Sequence, residues 1–191
     1  MDLTKISQEI HGNAVEHGFW DGNPKPEHFL MLVFTEVSEM VEADRKGTRA
    51  NLEKTDIGPA TNIMRENLRE AIEMANDFNG VFESFIKNTV EDEMADVVIR
   101  LLDLAGSMGI DFAHLNPCNY RRSFPHFTFT ENAYSLIKGL AREQINIVSR
   151  IRFGIHYMFE WAKSMGVNLS WFIRMKMRYN TTRPLRHGKA Y

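Results

Sequence analysis

Disulfide chemistry is missing from this chain. Its 191 residues include one cysteine, Cys118, and a single thiol closes no internal bridge. That fits a reducing compartment. Long apolar runs are missing too: no stretch reaches the ~18 uninterrupted apolar residues of a membrane span. Residues Met1–Ile10 have neither the basic start nor the apolar core of a signal peptide. Nor is there an excess of either charge. Lys and Arg number 23 against 25 Asp and Glu, a net charge of −2, so no global field draws the chain onto nucleic acid or anionic lipid. These absences predict a cytoplasmic protein that binds neither nucleic acid nor membrane, and any grip on phosphate must come from a local cluster. Strand-like alternation is absent as well. What remains is 43% hydrophobic and 25% charged sequence, enough for a sizeable core, almost all of it with helical periodicity. The reading is an all-α helical bundle, one domain over residues 1–191.

Helix punctuation divides the chain. A first helix is predicted over Leu3–His17, ending at Gly18, with a turn-rich loop at Phe19–Pro24. A second runs Pro26–Lys46, with proline in its first turn and Gly47 at its stop. Thr48–Pro59 reads as a loop, and Ala60–Lys87 as a charged, peripheral helix. A third core helix is predicted over Thr89–Met108, capped by Thr89 with Asp92 in the capping-box position. Asn116–Thr130 is irregular. Helix resumes at Glu131 behind a Thr130 cap and runs to Met165, with a break near Gly139. A last helix spans Leu169–Tyr179, ahead of a basic tail. One echo is visible: Ala105-Gly-Ser-Met-Gly-Ile-Asp111 resembles Ala162-Lys-Ser-Met-Gly-Val-Asn168. In that register Arg150 and Phe153 stand where Glu93 and Asp96 stand. Residues 113–167 therefore read as an insertion or a degenerate second repeat, between a catalytic half at 1–112 and the last helix and tail at 168–191.

Two helices carry the informative spacing. Glu36 and Glu39 lie three residues apart on one helical face. Glu93, Asp96, Arg100 and Asp103 form a 3-4-3 polar stripe on a helix otherwise covered by Met94, Val97, Val98, Leu101, Leu102 and Leu104. A helix apolar on most of its circumference is buried. Its stripe is then either its one wet face or the lining of a polar site inside the bundle. Buried carboxylates need a cation or a proton, and an all-oxygen cluster suits Mg²⁺ or Mn²⁺ rather than zinc. A di-iron centre would need Glu-x-x-His on two helices, and the chain has none.

Glu36-x-x-Glu39 followed by Glu93-x-x-Asp96 resembles the ExxE…ExxD signature of MazG-like proteins in the all-α nucleoside triphosphate pyrophosphohydrolase superfamily. The surrounding words Thr35–Ala43 and Val90–Val98 resemble the family too, and His17–Asp21 and Lys176–Lys189 are similar to segments of one branch of it. The resemblance implies a helical bundle of the MazG/dimeric-dUTPase type. It implies Mg²⁺-dependent hydrolysis of a (deoxy)nucleoside triphosphate to the monophosphate and pyrophosphate, with nucleotide-pool housekeeping as the role. Glu36, Glu39, Glu93 and Asp96 would be both metal ligands and catalytic residues. It also implies a homodimer, or a pseudo-dimer within one chain if 113–167 is a second copy.

Other residues have two readings each. Asn180, Arg183, His187 and Lys189 in the tail are phosphate contacts or a solvated basic segment. Arg100 reaches a phosphate, or pairs with Asp96 or Asp103. Trp20 stacks on a base or packs at the core edge. Phe124, Phe127, Phe129 and Tyr120 pack the insertion onto the bundle, and His156 is a core histidine. For the whole chain, the alternative is a non-catalytic helical module that binds nucleotide or a partner protein.

Overall fold

The computed structural model describes residues 1–50, 68–113 and 124–188. Seven α-helices are bounded in it: α1 (Leu3–Glu16), α2 (Pro26–Lys46), α3 (Phe78–Phe85), α4 (Val90–Ser107), α5 (Phe129–Leu140), α6 (Ile147–Ser164) and α7 (Leu169–Thr181). Short 3₁₀ turns occupy Phe124–His126 and Leu185–Gly188, and residues 68–73 are also helical. Among the described residues there is no strand, and no helix is long and apolar enough to cross a membrane. Cys118, Tyr120, Lys189 and the side chain of His187 lie outside the described residues, as do parts of the two predicted loops.

The helix ends follow local chemistry. α2 has the predicted bounds: Pro26 opens it, and Gly47 closes it at φ 70°, in the left-handed region where glycine has no Cβ penalty. At α4, Thr89 Oγ1 accepts the Asp92 N–H at 3.3 Å. Asp92 does not complete the predicted box with Thr89; its Oδ2 accepts from the Asn88 N–H at 3.0 Å. α5 starts earlier than predicted, with a full capping box between Thr128 and Glu131 rather than a Thr130 cap. The predicted long helix to Met165 divides at residues 141–146, where Asn146 caps α6 by accepting from the Ser149 N–H at 2.9 Å. The break comes near Gly139, as expected, just after the helix ends at Leu140. Gly139 itself stays helical, and its missing side chain leaves room for the Phe153 ring of α6.

α4 is the centre of the bundle, touching α1, α2, α6 and α7. Met94, Val97, Val98, Leu101, Leu102 and Leu104 are all fully buried. Gly106 sets its distance from α1: an added Cβ there would collide with the Ser7 carbonyl and come within 2.7 Å of His11 Cβ. The stretch before α4 is less peripheral than its charge predicts. Phe78, Phe82 and Ile86 of this stretch are core residues, and the Phe82 ring stacks on Tyr179 of α7 at 4.5 Å. Phe124 and Phe129 pack on Trp161 of α6, whereas Phe127 is 44% exposed.

The internal echo coincides with two identical helix terminations. Ile110 N–H bonds the Ala105 carbonyl at 3.0 Å and Val167 N–H bonds the Ala162 carbonyl at 2.9 Å. Gly109 and Gly166 take positive φ in both. This is the Schellman arrangement. Upstream the two helices diverge. Tyr157 of α6, which stands against Arg100, is buried and donates to the Asn132 carbonyl at 2.8 Å. Among the described residues no second acidic cluster forms.

Candidate functional site

The α4 stripe faces inward. Glu93, Asp96, Arg100 and Asp103 all line one cavity of about 220 Å³ between α1, α2, α4 and α7. Glu36 and Glu39 face it from α2. Lys176, Tyr179 and Asn180 face it from α7, with Arg183 just beyond. Ligand oxygens of Glu36, Glu93 and Asp96 lie within 4.8 Å of one another. Glu36 and Glu93 are each 5% exposed, and Asp96 is half-buried. Glu39, one turn further along α2, is exposed at the cavity edge and is not part of this close set.

Two cations already serve the cluster. Arg100 Nε donates to Glu36 Oε1 at 3.0 Å, so Arg100 pairs with neither of the two partners its sequence position suggests. Lys176 is buried in α7 beside Met175 and Met177. Its Nζ lies 2.9 and 3.0 Å from the Asp92 oxygens and 2.7 Å from Asp96 Oδ2. Burial alone would lower the Lys176 ammonium; Asp96 and Asp92 overcome it and hold the group charged. Burial also raises the Asp92 carboxyl to about 6, against the pull of Lys176. Glu36 is raised by burial and by Asp96, with Arg100 opposing.

Glu93 is left over. Its Oε2 is buried and has no hydrogen-bond partner. Burial, then the charges of Asp96 and Asp92, push its carboxyl up to about 8. A buried carboxylate without a partner costs several kcal/mol, so this position calls for a proton or a metal ion. Three clustered carboxylates, one of them uncompensated, form an oxygen-only donor set that fits a hard divalent cation. A second orphan sits nearby: Asn180 is 7% exposed and its Oδ1 has no partner.

At the other end of the stripe, Asp103 is 3% exposed. Its Oδ1 accepts from His11 Nδ1 and from Trp20 Nε1, both at 2.9 Å. Since a carboxylate only accepts, His11 carries its proton on Nδ1. Burial raises Asp103, and the His11 and Trp20 bonds draw it back. Trp20 stacks on Phe29 at 3.9 Å and its N–H is committed, so it packs at the core edge. Its neighbour Phe19 lines the cavity instead.

Of the residues singled out by sequence, the structure brings Glu36, Glu39, Glu93, Asp96, Arg100, Asn180 and Arg183 to one cavity. Trp20 stands behind it. Lys176 and the His11–Asp103 contact do not follow from local spacing, although a lysine between two methionines on an apolar helix face is a signal of a buried, paired cation. Compared with protein-family models, curated proteins and solved structures, the chain gives no match.

Proposed function

We propose that this cavity hydrolyses nucleoside triphosphates to the monophosphate and pyrophosphate with Mg²⁺. The observation that carries the reading is the buried, unpartnered Glu93 oxygen among the clustered oxygens of Glu36 and Asp96. It is supported by the ordered ExxE…ExxD words and by basic and amide groups on the facing helix. Glu36, Glu93 and Asp96 would hold the ion, with Glu39 at the rim. When bound, the ion supplies charge neutralisation for the triphosphate and a water of lowered pKa.

The chain's own groups do the rest. Lys176 holds Asp96 in place through its 2.7 Å contact. Arg100 fixes Glu36. Arg183 and the Asn180 amide stand on the wall opposite the acidic cluster, where they orient phosphate oxygens. Glu39 is exposed enough to take the proton of an attacking water at the rim.

One observation favours a second reading. Lys176 and Arg100 already neutralise part of the cluster, as they would in a module that binds nucleotide without turning it over. A nucleotide panel separates the two. Pure protein with Mg²⁺ is expected to release pyrophosphate and monophosphate in equal amounts from at least one member. Calorimetric binding with no product, in Mg²⁺ and in Mn²⁺, would establish the module instead.

A further inference from the structure

The cavity has two chemically different ends, and the proposed hydrolysis uses only the first. On α4, Asp103 lies seven residues past Asp96 and ten past Glu93. At 1.5 Å per residue that is about 10 and 15 Å along the axis. The lysine, asparagine and arginine of α7 and its extension face the acidic cluster. Ile10 and Ala14 of α1, with Phe19, provide apolar wall, and α1 reaches Asp103 through His11. A carboxylate repels phosphate, and apolar walls accept a planar ring. This end therefore suits the base of a nucleotide whose phosphates lie toward Glu93.

We propose that Asp103 selects the base, and that the cavity takes nucleotides whose base bears an exocyclic amine, cytosine or adenine, over the oxo counterparts uracil and hypoxanthine. The proposal rests on the nucleotide reading of the site. Its geometric basis is the asymmetry of Asp103. Oδ1 is taken by two donors at 2.9 Å, from His11 and Trp20. Among the described residues no donor meets Oδ2, although the residue lines the cavity and is 3% exposed. One acceptor oxygen is thus held rigidly by a residue that cannot rotate away without breaking two hydrogen bonds. A carboxylate accepts from the amine of cytosine. A carbonyl in the same place sets lone pair against lone pair. Guanine is disfavoured because its two adjacent N–H groups match a carboxylate with both oxygens open, and here one is occupied. A buried polar group left unpaired by the wrong ligand is what gives such sites large discrimination.

The test uses size-matched pairs, dCTP with dUTP and dATP with dITP. Two readouts are taken: pyrophosphate release with Mg²⁺, and calorimetric binding of the α,β-methylene analogues, which do not cleave. The native chain is expected to favour the amino member of each pair by at least about tenfold. Asp103→Asn keeps the Oδ1 acceptor for His11 and Trp20 and turns an amide donor toward the cavity; it is expected to narrow or invert the ratio. If the Asp103→Asn chain fails to fold, the native ratios alone decide. Equal use of both members by the native chain, or an unchanged ratio in folded Asp103→Asn, overturns the base assignment and leaves the hydrolase intact. Discriminating binding without pyrophosphate overturns the hydrolase and leaves the base assignment. No binding of any analogue overturns both.

Discussion

Glu93→Gln is expected to make the metal-free protein more stable above about pH 8 while removing turnover. The sign follows from proton linkage. The Glu93 carboxyl is raised to about 8 from an ordinary 4.5, first by burial and then by Asp96 and Asp92. Between these values the folded chain keeps a proton that the unfolded chain has released, so metal-free stability falls as pH rises toward 8. Glutamine has the same shape and no proton to lose, so its advantage over the native side chain grows across that window. Urea midpoints in a chelator at about pH 5 and pH 8.5 measure it: a small difference at the lower pH, a clear gain at the higher. Activity should move the other way. Losing an ion that supplies several kcal/mol of transition-state stabilisation is a factor of about 10³ or more in rate. A Gln variant that is less stable than native at high pH would show that Glu93 has an anion-stabilising partner the cavity geometry does not contain.

Lys176→Met is expected to cost about 3–5 kcal/mol of stability, because it strands a buried charge. Its partner Asp92 is only 1% exposed, and Asp96 shares the same ammonium at 2.7 Å. Methionine matches the stem and its flanking residues, so the loss is electrostatic rather than a cavity. Two further measurements identify the cause. Adding Asp92→Asn should restore part of the loss, a coupling that independent sites do not show. Mg²⁺ should stabilise the Lys176→Met chain more than the native one, since binding to the folded state adds stability by mass action and Asp96 no longer has its ammonium. A loss below about 1 kcal/mol, or no recovery from either addition, would mean that Asp92 and Asp96 are hydrated in solution.

The parts of this site written in local chemistry were legible in the sequence. Pro26 and Gly47 bound α2, Thr89 caps α4, and the 3-4-3 spacing on an apolar helix places four side chains in one cavity. What depends on neighbours far along the chain was not. Gly139 marks the neighbourhood of the break after Leu140, but only the packing shows that its bare backbone also makes room for Phe153. Phe78 and Phe82 sit in a charged stretch, and only their burial, with Phe82 stacked on Tyr179, shows them to be core. Arg100 has acidic residues three and four positions away on its own helix; its partner is Glu36, 64 residues distant. Trp20 has the polar surroundings of a stacking residue, but Asp103 takes its N–H from 83 residues away. Lys176 lies in the predicted last helix, and its partner Asp92 is 84 residues away. In each case local spacing describes a face, and the partner on that face is chosen by tertiary packing.

Glu36, Glu93 and Asp96 are expected to hold a divalent cation. Crystals soaked in Mn²⁺ and measured for anomalous scattering test it most directly. A peak is expected between α2 and α4, bounded by those three carboxylates with Glu39 at its edge, and it should be lost in Glu93→Gln. A map with no peak there, and with Arg100 and Lys176 still paired to Glu36 and Asp96, would contradict it.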